Sequence, residues 1–351
     1  MQPATELQFK NGRRLYIGDN NYTTERGHII ATGATFCAAN PAQGWNGLAF
    51  QAFTLPSTLT GCTIKQVNAA PLGAATIYCD NTVAFQDCVF TANDNYAIYC
   101  YQNKAFTMAD CTISANAKTI GIYAADFHKL LSGNSYAGNT ENRIQCFGDN
   151  IGASATWTTQ STPIWVTGQM YFDCSGTPIL EIPSGVELQF NPGLGFYVGD
   201  NSYSDRLQSL HATGVTFKAA NPAQGWNGLY FYNYMSPSYL DACLVRDVSS
   251  NAQGAVVVNC SALLTLQDCV FTANNTFAVY CNWDKSFALN GCTLSGNAKT
   301  VGLYARDLPK LLSGNSYVNN TENRIQCWGE TISTSATWIP QSTPIWVTAN
   351  I

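Results

Sequence analysis

Apolar positions alternate with polar ones in short runs along the chain, and turn residues separate the runs. That is the strand pattern, and no stretch keeps a helical spacing over three turns. The runs fall into two series. The first reads TGATF (32–36), TGCTI (60–64), QDCVF (86–90), ADCTI (109–113) and SGNSY (132–136). The second reads GLAF (47–50), TIYC (76–79), AIYC (97–100), GIYA (121–124) and RIQC (143–146). Successive members lie 21 to 29 residues apart. A strand that returns at this interval without a crossover helix has to wind around its own core.

Two-residue periodicity sorts the side chains of these strands. In the first series Ala34, Cys62, Cys88, Cys111 and Asn134 share one inward position, and Phe36, Ile64, Phe90, Ile113 and Tyr136 share the next. In the second series Leu48, Ile77, Ile98, Ile122 and Ile144 are expected to stack, followed by Phe50, Cys79, Cys100, Ala124 and Cys146. Asn93, Asn116 and Asn139 follow the first series at a fixed distance and predict an amide ladder at a left-handed corner.

The whole pattern occurs twice. Residues 7–168 align with 188–349 at an offset of 181 without a gap, and 88 of the 162 aligned positions are identical. Two modules follow, 1–168 and 169–351, expected to form one continuous all-β solenoid. Composition narrows the function. Among 351 residues 46% are hydrophobic and only 11% charged, with a net charge of −5 and a pI near 5.1. No basic cluster suggests nucleic acid, and no run approaches the ~18 apolar residues of a membrane span. Few lysines and many Asn, Thr and Tyr suit an extracellular or cell-surface location, and the chain reads as the mature part or a segment of an exported protein.

At this point the sequence resembles the right-handed parallel β-helix repeat proteins, the pectin-lyase-like group in its widest sense. Residues 154–190, SATWTTQSTPIWVTGQMYFDCSGTPILEIPSGVELQF, are similar to the join between modules of large secreted bacterial surface proteins. The resemblance implies a right-handed β-helix and carries little about activity.

Fourteen cysteines offer two readings, a disulfide framework or ladders of free thiols. Stacked strands hold their Cβ vectors parallel, which favours free thiols at Cys62, Cys88, Cys111, Cys79 and Cys100. The three histidines occupy no equivalent positions and no CxxC occurs, so neither a metal nor a cofactor is expected. Only two of the acidic candidates persist across the duplication, Asp87/Asp268 and Asp126/Asp307, and turn formation suffices for both. The polygalacturonase-type NTD, GHG and RIK signatures are absent, so the chain is expected not to be an enzyme. Calcium at the GDN turns and an ice-binding threonine array are weaker readings.

Outward slots of the second series place Tyr78, Tyr99 and Tyr123 in a row, widened by Tyr101, with Tyr230, Tyr280 and Tyr304 in the second copy. An exposed tyrosine stripe is the candidate for stacking on sugar rings. The end strands, with Leu7 and Phe9 at one end and Ile345, Trp346 and Val347 at the other, look uncapped. The favoured expectation is therefore a non-enzymatic surface or fibre subunit that stacks head to tail on itself or on neighbouring β-helix modules. A glycan-binding module is second, and a polysaccharide lyase or hydrolase third.

Overall fold

The computed structural model describes residues 5–68, 72–249, 251–332 and 335–351. The chain is an all-β parallel solenoid of about 13 turns with almost no helix. It packs as two compact units, Met1–Phe147 with Thr158–Ile164, and Gly148–Trp157 with Trp165–Ile351.

In the first unit the first four coils each lay down three strands. One sheet orders Glu6–Phe9, Thr35–Ala38, Thr63–Lys65, Val89–Thr91, Thr112–Ser114 and Ser135–Ala137. A second contains Leu15–Ile17, Leu48–Phe50, Gly73–Ile77, Tyr96–Cys100, Lys118–Ile122 and Ile144–Cys146. A third series, Ile30–Thr32, Ser57–Thr60, Val83–Gln86 and Phe106–Ala109, goes beyond the two series read from the sequence. The second unit repeats the plan, for example with Val270–Thr272, Phe277–Cys281 and Leu264–Gln267. Neighbouring strands are parallel and come from successive coils, as a helically wound sheet requires.

The first-series core is as expected. Cys62, Cys88 and Cys111 are fully buried, as are Ile64, Phe90 and Ile113. The Cys88 amide donates to Cys111 Sγ at 3.3 Å, and Asn134 Oδ1 closes the ladder by accepting from the Cys111 amide at 3.1 Å. No disulfide joins the fourteen cysteines, of which thirteen are buried and Cys174 is half-buried. Burial pushes the Cys79 thiol up to about 11, and Cys260 up to about 12.

The second series differs in register. Phe50 pairs with Ile77, Ile77 with Cys100, and Ile122 with Cys146, while Leu48 and Ile98 both face Ala75. The ladder is thus Phe50–Ile77–Cys100–Ile122–Cys146, and Cys79 lies one inward position beyond it. Cys79 and Cys100 do not share a rung. The pairing of strands Gly73–Ile77 and Lys118–Ile122 with Tyr96–Cys100 is shifted by two residues from the sequence alignment. A two-residue slip keeps every side chain on its own face, so alternation alone is blind to it.

The asparagine ladder forms, with one correction to its backbone. Asn93 Nδ2 donates to Asn116 Oδ1 at 2.7 Å, and Asn116 Nδ2 to Asn139 Oδ1 at 3.0 Å. Asn274, Asn297 and Asn320 repeat the arrangement at 2.8 and 3.0 Å. The left-handed residue is the one before each ladder asparagine: Ala92 at φ 53°, Ala115 at 55° and Gly138 at 66°. Asp87 and Asp110 hold the other left-handed corner at φ 54° and 52°, where neighbouring coils use Gly61 and Gly133. The turn reading of Asp87 therefore holds, and Asp268 repeats it at φ 51°.

The recurrent NPAQGWNGL phrase also has a physical basis. Its tryptophans, Trp45 and Trp226, are fully buried and stack on Phe9 and Phe190 with centroids 4.2 and 4.4 Å apart. Each indole N–H donates to a backbone carbonyl, of Lys65 or Arg246, at 2.8 Å. Gly47 then turns with φ 78°, where a Cβ would lie 2.5 Å from Ala74 O.

Candidate functional site

The tyrosines form two lanes rather than one row. Tyr99 sits opposite Thr76 and Gly121, so Tyr78 and Tyr123 occupy the adjacent lane with Tyr101. Tyr78, Tyr99, Tyr101, Tyr123, Tyr230, Tyr280 and Tyr304 are all half-buried, which corrects the expectation of an exposed stripe. Their rings occupy one another. Tyr78 stacks on Tyr101 at 4.0 Å with the hydroxyls 2.6 Å apart, and Tyr99 and Tyr123 both pack on Phe147. In the second unit Tyr280 and Tyr304 both pack on Trp328, and Tyr230 stacks on Tyr197 at 4.9 Å. Tyr78 and Tyr101, like Tyr197 and Tyr230, lie nearly face to face at interplanar angles of 27° and 21°, whereas the rings on Phe147 and Trp328 are tilted against them. Burial raises the hydroxyl pKa of Tyr99, Tyr230 and Tyr280.

The acidic pair shared by the two copies is buried and partnered. Asp126 lies in the 3₁₀ turn Ala124–Lys129, 2.5 Å from Lys129 Nζ, and accepts the Asn103 amide at 3.1 Å. Asp307 repeats this in Ala305–Lys310 with Lys310 at 2.5 Å. Burial raises both carboxyls above the usual range. Each lysine also bonds a carbonyl of the preceding coil, Lys104 O or Lys285 O, so the pair ties two coils together. Among the described residues no group of three or more His, Cys, Asp or Glu is arranged to hold a metal. No helix among them is long and apolar enough to cross a membrane.

The end strands show the sharpest contrast between identical sequences. Glu6–Phe9 and Glu187–Phe190 both read ELQF. Leu7 is 36% exposed and Phe9 half-buried, whereas Leu188 and Phe190 are 0% exposed. Residues 164–166 and 345–347 both read IWV. Ile164 and Val166 are buried, while Ile345 is half-buried and Trp346 and Val347 are 40% and 43% exposed. Around Leu188 the cover is the coil before it, with Phe172, Leu180 and Ile182 in the core. Asn191 N–H donates to Val166 O at 3.0 Å, and Trp165 Nε1 donates to Asn191 Oδ1 at 2.7 Å. Leu7 lines an open apolar groove of about 330 Å³ with Leu15, Ile29, Ala34 and Phe36.

Sequence reasoning missed Trp283, Asp284, Arg306 and Glu330, which three coils of the second unit bring together. A copy-by-copy comparison carried the signal, since the first module has Gln102, Asn103, Ala125 and Asp149 there.

Neither the curated proteins nor the solved structures contain a match to the chain. The family model described as "right handed beta helix region" matches residues 5–140. That match gives the hand of the winding, and the observed three-strand parallel coils agree with it. The chain folds as a right-handed parallel β-helix, and its residues 5–140 are similar to that family.

Proposed function

We propose that this protein is a non-enzymatic extracellular scaffold, a surface or fibre component whose end strands pair with further β-helix coils. The observation that carries the reading is the contrast between identical strands. ELQF and IWV are buried where another coil covers them and open at Glu6–Phe9 and Ile345–Val347. Unpaired parallel edges with apolar side chains are templates for another strand. Covering the remaining 36–43% of such a side chain is worth ~0.5–1 kcal/mol. The occupant is a coil of a second copy or of an adjoining module, because only such a coil offers matching register and ladders. An extracellular setting is supported by the low charge and the Asn- and Thr-rich surface.

The test is sedimentation velocity on the intact chain across a concentration series, beside Leu7→Lys and Val347→Lys. Concentration-dependent association that either charge abolishes supports the proposal. Monomers at the highest soluble concentration, or association indifferent to both substitutions, overturn it.

A further inference from the structure

One cluster outside the ladders is built like a ligand site. Strand Phe277–Cys281 leads into Trp283 and Asp284, strand Lys299–Tyr304 into Arg306 and Asp307, and strand Ile325–Trp328 into Glu330. Asp284, Asp307 and Glu330 recur every 23 residues, so they stand on successive coils. Glu330 is the centre. Its Oε1 accepts from Trp283 Nε1 at 2.5 Å and lies 2.6 Å from Arg306 Nε. Arg306 also reaches Asp284 at 3.2 Å, and its guanidinium sits 5.1 Å from the Trp283 ring centroid.

Two features do not belong to a closed structural network. The Glu330 side chain is only 10% exposed, yet its Oε2 is buried and finds no hydrogen-bond partner among the described residues. A buried carboxylate oxygen left unpaired costs ~1–3 kcal/mol or more. Trp283, next to it, is 55% exposed although it is the largest apolar side chain of the loop. A scaffold gains nothing from either feature. A ligand with an apolar face and a hydroxyl edge uses both.

We infer that this cluster binds a neutral sugar. The sugar's C–H face packs on the indole, which exposes more ring than any tyrosine of the two lanes. One hydroxyl donates to Glu330 Oε2 as Trp283 turns outward to admit it, and a neighbouring hydroxyl accepts from Arg306. A hydroxyl both donates and accepts, which fits a site that presents carboxylate oxygens and a guanidinium side by side. Charge selects against acidic ligands. Asp284, Asp307 and Glu330 oppose Arg306 and Lys310, so a uronate or phosphate meets a surplus of carboxylate. The position is also specific to one copy: at the equivalent places the first module has no tryptophan and no arginine.

The experiment is saturation-transfer NMR followed by calorimetric titration of the intact chain. The probes are cellobiose, maltose, lactose and di-galacturonate. At least one neutral disaccharide is expected to bind in the millimolar range or tighter, and di-galacturonate more weakly. Trp283→Ala should weaken binding at least tenfold and Glu330→Gln severalfold, while Gln102→Ala in the first module leaves it unchanged. Unfolding midpoints close to the parent's establish that the variants are folded, and Trp283→Phe, which keeps an aromatic face, should retain part of the affinity. Absence of saturation by every neutral probe, equal binding by Trp283→Ala, or a preference for di-galacturonate overturns the inference.

Discussion

Replacing Asn116 by alanine removes the middle rung of the first asparagine ladder. The Asn116 side chain accepts from the Asn93 amide at 3.2 Å and from Asn93 Nδ2 at 2.7 Å. It donates to Phe90 O and to Asn139 Oδ1, both at 3.0 Å. All of this happens at 1% exposure, so water does not replace the lost partners. Asn93 Nδ2 keeps Ile64 O at 3.3 Å, and Asn139 Oδ1 keeps the Asn116 amide at 3.0 Å. The Asn93 amide and the Phe90 carbonyl lose the bonds that Asn116 gave them. At ~1–3 kcal/mol per orphaned buried group, with a cavity in addition, Asn116→Ala should cost about 3–6 kcal/mol. Urea unfolding followed by far-ultraviolet circular dichroism measures this. Asn297→Ala, the same rung in the second unit, should cost a similar amount, and Asn275→Ala, at the exposed residue beside the second ladder, little. A loss below about 1 kcal/mol for Asn116→Ala would refute the claim that the ladder is a principal tie between coils.

Other consequences are open to direct measurement. Ala92 and Ala273 hold left-handed φ of 53° and 54°, which costs a residue with a Cβ ~1–2 kcal/mol. Ala92→Gly and Ala273→Gly should therefore each stabilise by about 0.5–1 kcal/mol in the same urea assay, after the glycine entropy term. The thiols make the fold alkali-labile. Cys79 and Cys327 are raised to about 11 and Cys260 to about 12 from an ordinary value near 9.0, in each case mainly by burial. A raised folded pKa leaves stability intact below the unfolded value and removes it as pH climbs toward the folded one. Three such thiols remove roughly 3 kcal/mol between pH 9 and 10. Stability should drop steeply in that window, thiolate absorbance should appear only with unfolding, and Cys260→Ala should flatten the slope. Lys310→Met strands the buried Asp307 carboxylate and should cost about 3–5 kcal/mol, whereas the double change with Asp307→Leu should recover most of it, as measured by thermal unfolding.

The sequence and the structure agree where side-chain chemistry marks a position and diverge where only parity does. Cys62, Cys88 and Cys111 align because a thiol follows three successive corners, and the ladder asparagines align for the same reason. The second series lacks such a mark. Ile77 and Cys79 are both inward-compatible, so the register slipped by a pair and carried Tyr78 and Tyr123 into the neighbouring lane. The third strand series escaped notice because Ser57–Thr60 and Val83–Gln86 run into the next corner with no glycine or proline before it. Ala92 and Ala115 show a further limit. Alanine gives no sign of a left-handed turn, whereas the asparagine after it does. The Glu330 cluster was invisible for a different reason. Its members lie on separate coils, and the duplication, used as a filter for chemistry, discarded what only one copy possesses.

The central claim is that this solenoid extends by stacking coil upon coil through Glu6–Phe9 and Ile345–Val347. Oriented fibre diffraction from concentrated protein tests it most directly. The account predicts fibres with a strong ~4.8 Å reflection along the fibre axis, because every strand then lies across that axis. Fibres with the ~4.8 Å spacing perpendicular to the axis would mean side-by-side association and would contradict it, as would protein that forms no ordered assembly at all.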